Sequence, residues 1–210
     1  MNRLLTVACL LVTALWGCAA PSLHPLYAPQ TLVQDSGLVG EWATEGPTVT
    51  RIVISEAGGG KYGGELTVHH DGQLKTGLSL EVCLTDIGRD RYADLFLAVP
   101  DRERLVAKYG FLALPVHQFM MVKREGDALR AWTFNADWLR QAGSEHAFAC
   151  EVLPIGGHEV PVITAESGTL REFLGKHAQD PGALSAPMIF HRVGREPRAD
   201  SASAGPDAHS

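Results

Sequence analysis

From about Trp42 to about Thr164 apolar residues return every second position more often than every third or fourth, the period of a β-strand with one buried face. The clearest stretch puts Leu74, Leu78, Leu80, Val82 and Leu84 on one face, with Lys75, Ser79, Glu81, Cys83 and Thr85 opposite. Thr50, Ile52 and Ile54 share a face of an earlier strand, with Val53 making its other face apolar too. Tyr62, Leu66 and Val68 alternate with Lys61, Glu65, Thr67 and His69, and Leu95, Leu97 and Val99 with Phe96. Between these runs stand Gly58-Gly59-Gly60, Asp71-Gly72 and Asp86-Ile87-Gly88-Arg89-Asp90. An Asp-Gly pair between alternating runs is a strong hairpin signal. Strands half-buried in this way, joined by tight turns, must close on themselves or pack against a second sheet, so the expectation is an antiparallel barrel or sandwich.

The rest of the chain fits around that pattern. Residues 100–115 read as the longest irregular stretch of the domain, charged at Asp101-Arg102-Glu103-Arg104 and apolar at Phe111-Leu112-Ala113-Leu114, a length typical of lids and binding loops. Val116–Lys123 and Ala128–Phe134 form a hairpin around Glu125-Gly126-Asp127. Asn135 is placed to cap a short helix through Arg140. Phe148–Leu153 and His158–Ile163 read as short strands around Gly156-Gly157. Thr164 or Ser167 caps an amphipathic helix carrying Leu170, Phe173 and Leu174, and Met188–Val193 is a final strand.

The N-terminus gives an address. Arg3 precedes an apolar run to Trp16, and Leu15-Trp16-Gly17-Cys18 has the form of a lipobox. Residues 1–17 are then a signal peptide that is cut away, and Cys18 is the lipid-modified first residue, carrying palmitate-like acyl chains. The run falls short of the roughly 20 apolar residues a helix needs to span a bilayer. An ordinary secretory signal cut near Ala20, or an uncleaved anchor, are the alternatives. Several acyl chains on Cys18 hold a domain stably on a membrane where one does not. Residues 18–35, with Pro21, Pro25 and Pro29, suit an extended tether, or else an arm strapped to the domain through Leu23, Leu26 and Tyr27. Residues 195–210, rich in Ser, Ala, Asp and Pro, read as a disordered tail.

Composition excludes more than it assigns. Lys and Arg number 18 against 24 Asp and Glu, with no basic run, which argues against a nucleic-acid partner. Cys9 leaves with the signal and Cys18 is consumed by lipid, so Cys83 and Cys150 remain as a disulfide or as two thiols. Gly58-Gly59-Gly60-Lys61 lacks the Ser or Thr of a phosphate loop, Gly-x-Ser-x-Gly is missing, and His158-Glu159 lacks a second His four residues on. His69 and His70 are adjacent on a strand and point to opposite faces, so no metal site is assigned. No catalytic residue, cofactor or enzymatic activity is expected.

Gly40 and Trp42 on the first strand, the meander that follows, a helix before the last strand and Arg192 on that strand resemble the lipocalin superfamily. The resemblance implies a lipocalin-like barrel of about eight strands over residues 36–194, with one C-terminal amphipathic helix. It also implies that Trp42 packs at the closed end of the barrel with Arg192 over its ring. The mature start, with His24-Pro25-Leu26-Tyr27, also resembles bacterial envelope lipoproteins, and Ala19 in place of Asp after the cysteine implies the outer membrane, facing the periplasm. Two functions are compatible with this. In one, the barrel holds or carries a small hydrophobic ligand in a cavity lined by Phe111, His117, Met120, Trp132 and Phe134. In the other, the barrel is filled and its surface docks an envelope protein.

Overall fold

The computed structural model describes residues 20–109, 116–145, 147–155 and 158–194. In chain order the strands are β1 (Leu32–Val33), β2 (Gly40–Ala43), β3 (Thr48–Gly58), β4 (Lys61–His70), β5 (Gln73–Ile87), β6 (Asp90–Leu97), β7 (Gln118–Glu125), β8 (Ala128–Thr133), β9 (Cys150–Ile155), β10 (His158–Ile163) and β11 (Met188–Arg192). The helices are α1 (Val99–Tyr109), α2 (Ala136–Ser144) and α3 (Ser167–His177). Strands β2 to β8 pair in sequence order, and β11 closes the ring between β8 and β2, giving a closed antiparallel barrel of eight strands. The long strand β5 pairs with β4 from Gln73 to Cys83 and with β6 from Leu80 to Ile87, while β1 takes its remaining edge at Leu84 and Thr85. Closure pairs both edges of the strands around the ring, and β5 before Leu80 extends past its pairing with β6.

Local chemistry explains the turns. At Asp71-Gly72 both residues have positive φ, 49° and 73°, as a two-residue hairpin that follows the right-handed twist of its strands requires. Thr50, Ile52 and Ile54 face inward and Val53 outward, as the alternation predicts. On β5, Leu78, Leu80, Val82 and Leu84 line the interior, but Leu74 is 62% exposed. A register shift at Val68/His69 and the projection of β5 beyond the end of its pairing with β6 take Leu74 out of the barrel.

The described residues form two apolar cores. One fills the closed end of the barrel around Trp42, Ile54, Tyr62, Leu84, Leu129 and Phe190. The other lies on the outside of the β6–β7–β8 wall, where Tyr92, Phe119 and Phe134 meet Leu139 of α2 and Leu170 and Phe173 of α3. Stacked and edge-on rings run from Tyr92 through Phe134 and Trp138 to Phe173.

Several expectations are corrected here. Val99–Tyr109 is helical rather than irregular. Pro100 occupies a first-turn position where its missing N–H costs nothing, and Arg102, Glu103 and Arg104 are good helix formers. The strands β9 and β10 are outside the barrel as a separate two-stranded hairpin. The expected tether is a strap from Ala20 onward: Ser22 exchanges backbone hydrogen bonds with His117, Leu23 N–H donates to Ile163 O, and Leu26 is fully buried. Backbone pairing and the burial of Leu26 outweigh the extended preference of its prolines. Cys83 and Cys150 are free thiols, on the barrel wall and on the outer hairpin respectively. Residues 1–17, Cys18 and the 195–210 tail lie outside the described residues.

Candidate functional site

The inward positions of eight strands leave a cavity of about 310 Å³ in the barrel, at the small end of the ~300–1,000 Å³ range of ligand sites. Its walls are Ile52, Leu80, Val82, Leu95, Met120 and Phe190 with their neighbours, and no charged side chain lines it among the described residues. Small Ala93 and Ala131 on β6 and β8 leave much of the space unfilled. A cavity walled mainly by aliphatic side chains suits a largely apolar occupant.

The closed end is built on Gly-x-Trp. Trp42 is fully buried, and its indole Nε1 donates to Leu38 O at 2.8 Å. The Arg192 guanidinium lies 4.2 Å from the Trp42 ring centroid, the contact that the lipocalin resemblance implies, and donates to Val39 O at 2.9 Å and to Gly37 O. Arg192 thus ties the last strand to the segment entering the first and plugs this end of the barrel.

Among the described residues three polar side chains reach the lining: Thr50, Gln118 and Thr133. The Thr133 hydroxyl is engaged with Ser185 Oγ at 2.9 Å. Gln118 is 7% exposed, and its Oε1 has no hydrogen-bond partner among the described residues. An unpaired buried amide of this sort costs about 1–3 kcal/mol.

Of the five expected ligand contacts, the four that are described do not come together. Met120 faces the cavity. Phe134 faces the outer core, and Trp132, directly opposite Met121, faces a charged groove with Arg124 and Lys123. His117 sits on the outer wall beneath the strap, its Nδ1 2.7 Å from Asp94 Oδ1, while Asp94 Oδ2 accepts from Leu26 N–H at 2.6 Å and the Phe96 ring stacks on the imidazole at 4.3 Å. Phe111 lies outside the described residues. Sequence reasoning passed over Gln118, although it lies two residues before Met120 on the same strand face. It also passed over Asp94, whose partners His117 and Leu26 are distant in sequence.

Reactive chemistry finds little support on the outer wall. Cys83 is opposite Asp94 on β5 and β6. Burial, aided by the negative charges of Glu81 and Asp94, pushes its thiol up to about 11, so it is protonated and weakly nucleophilic at neutral pH. Burial likewise raises the neighbouring Tyr27 phenol to about 12. Among the described residues no three His, Cys, Asp or Glu side chains cluster to hold a metal ion, and no helix is long and apolar enough to cross a membrane. Compared with protein-family models, curated proteins and solved structures, the chain matches none.

Proposed function

We propose that this protein is a membrane-anchored envelope lipoprotein of lipocalin type whose barrel binds or carries a small hydrophobic ligand. The observation that carries the reading is the uncharged apolar cavity of about 310 Å³ inside a closed barrel, where a packed scaffold would have larger side chains than Ala93 and Ala131. The anchoring half rests on the Leu15–Cys18 motif. With the chain fixed to the barrel from Ala20, an acylated Cys18 is only two residues, at most about 7 Å, from the folded surface. The barrel then rides directly on the bilayer, close to the source of an apolar ligand, rather than at the end of a spacer.

Mass spectrometry of the protein purified from its native envelope tests both halves. The expected results are an acylated Cys18 as first residue and a stoichiometric small apolar molecule released by solvent extraction. An unmodified Cys18 refutes the anchor. An empty protein that takes up no fatty alcohol or lipid refutes the carrier and leaves the docking of an envelope partner as the function.

A further inference from the structure

Building on the ligand-binding reading, we infer that Gln118 is the polar anchor of the cavity and that the ligand is an uncharged amphiphile, an apolar body with one hydroxyl-type head. The placement follows from register. Gln118 is opposite Leu95 and shares the inward face of β7 with Met120 and Val122, and all four line the cavity. It is 7% exposed, with Oε1 left without a partner among the described residues. The neighbouring polar side chain Thr133 is already bonded to Ser185, so it does not compete for a ligand head.

A Leu or Met of similar size would fill the same space without the desolvation penalty of an unpaired amide. The amide is satisfied when a ligand brings a hydrogen-bonding group to it. A hydroxyl meets this need whichever way the amide is turned, because it both donates and accepts. A charged head is disfavoured, since among the described residues no charged side chain lines the cavity to offset its burial. At roughly 30 Å³ per water-sized group, about 310 Å³ holds a ligand on the order of ten non-hydrogen atoms.

The test uses the mature chain, residues 18–210, carrying Cys18→Ser, so that no detergent competes, and four ligands of matched size with one ten-carbon chain: 1-decanol, 1-chlorodecane, decanoate and decylammonium. Gln118→Leu and Gln118→Met are compared with the parent for affinity and for melting temperature. The expected result is that both substitutions weaken decanol about 3- to 10-fold, the worth of one hydrogen bond. Chlorodecane is unchanged or tighter, the charged compounds bind at least about tenfold more weakly than decanol, and both variants melt at or above the parent temperature. Equal loss for decanol and chlorodecane, no loss of either, or tightest binding of a charged compound overturns the anchor while the cavity reading stands. A lower melting temperature in both variants gives Gln118 a structural role and also overturns it. Failure of all four compounds to bind the parent chain refutes the cavity reading itself.

Discussion

Replacing Gly40 with Ala is the most informative single change at the closed end. Gly40 has φ of +136°, a conformation that costs an L-residue about 1–3 kcal/mol, and a Cβ added there would collide with Arg192 Nη1. The substitution therefore strains the backbone and also drives the guanidinium off the Trp42 ring and off the carbonyls of Gly37 and Val39. A cation–π contact worth ~1–2 kcal/mol and two charge-assisted hydrogen bonds put the Arg192 network at about 3–4 kcal/mol after side-chain entropy is deducted. Gly40→Ala should then cost about 5 kcal/mol and Arg192→Ala about 3–4. The double variant should cost about 5 kcal/mol, no more than Gly40→Ala alone, rather than the sum of about 8–9, because the same network is lost once, a coupling of roughly 3–4 kcal/mol. Urea unfolding of the four proteins measures it. Additive losses would show that Gly40 and Arg192 act independently and would refute the reasoning.

Ala131→Leu places three further carbon atoms in the cavity; its stability should stay within about 1 kcal/mol of the parent while decanol uptake falls, whereas overpacking of a filled core would cost ~1–3 kcal/mol. Burial alone would raise the Asp35 carboxyl, but hydrogen bonds from Arg124 and the Gly37 N–H, with the charges of Arg124 and Arg91, hold it below its ordinary value of 3.8. The stability this carboxylate contributes is present above that value and lost as pH falls through the lowered one. The melting-temperature gap between parent and Asp35→Asn should therefore be constant from pH 7 to about 5 and close at lower pH; a gap independent of pH contradicts this. Alkylation of unreduced protein should label Cys83 and Cys150 only after unfolding for Cys83, whose buried thiol is held up to about 11, and a Cys83–Cys150 disulfide peptide would contradict the fold.

What the residues disclose depends on how locally the physics acts. Strand alternation and Asp71-Gly72 are local, and they pointed to an antiparallel barrel or sandwich; the choice of a closed barrel of about eight strands, like the Gly40–Trp42 and Arg192 positions, was read from resemblance. The amphipathic spacing of Leu170, Phe173 and Leu174 likewise marks α3, although its N-cap is Glu166 and Ser167 Oγ instead donates to Pro25 O. Features set by partners far along the chain were not legible. The Ala20–Val33 strap depends on His117, Ile163 and Asp94, none of which the proline spacing announces. Helix α1 was hidden because it opens on Pro100 and a charged run, Asp101-Arg102-Glu103-Arg104, with its apolar residues Leu105, Val106 and Tyr109 only in its second half. In the site, chain proximity grouped Met120 with Trp132 and Phe134, but period-two geometry puts even and odd positions of β7 on opposite walls, so Met120 faces the cavity and Phe119 the outer core. The same rule, applied one turn earlier, would have found Gln118.

That division of one strand also provides the most direct test of the carrier account. Met120 and Met188 line the cavity, while Met121 packs on the outer core. With methyl-labelled methionine in the Cys18→Ser chain, 1-decanol should shift the Met120 and Met188 signals saturably at one equivalent and leave Met121 in place. A shift confined to Met121, or no saturable shift at any of the three, would contradict a ligand inside the barrel.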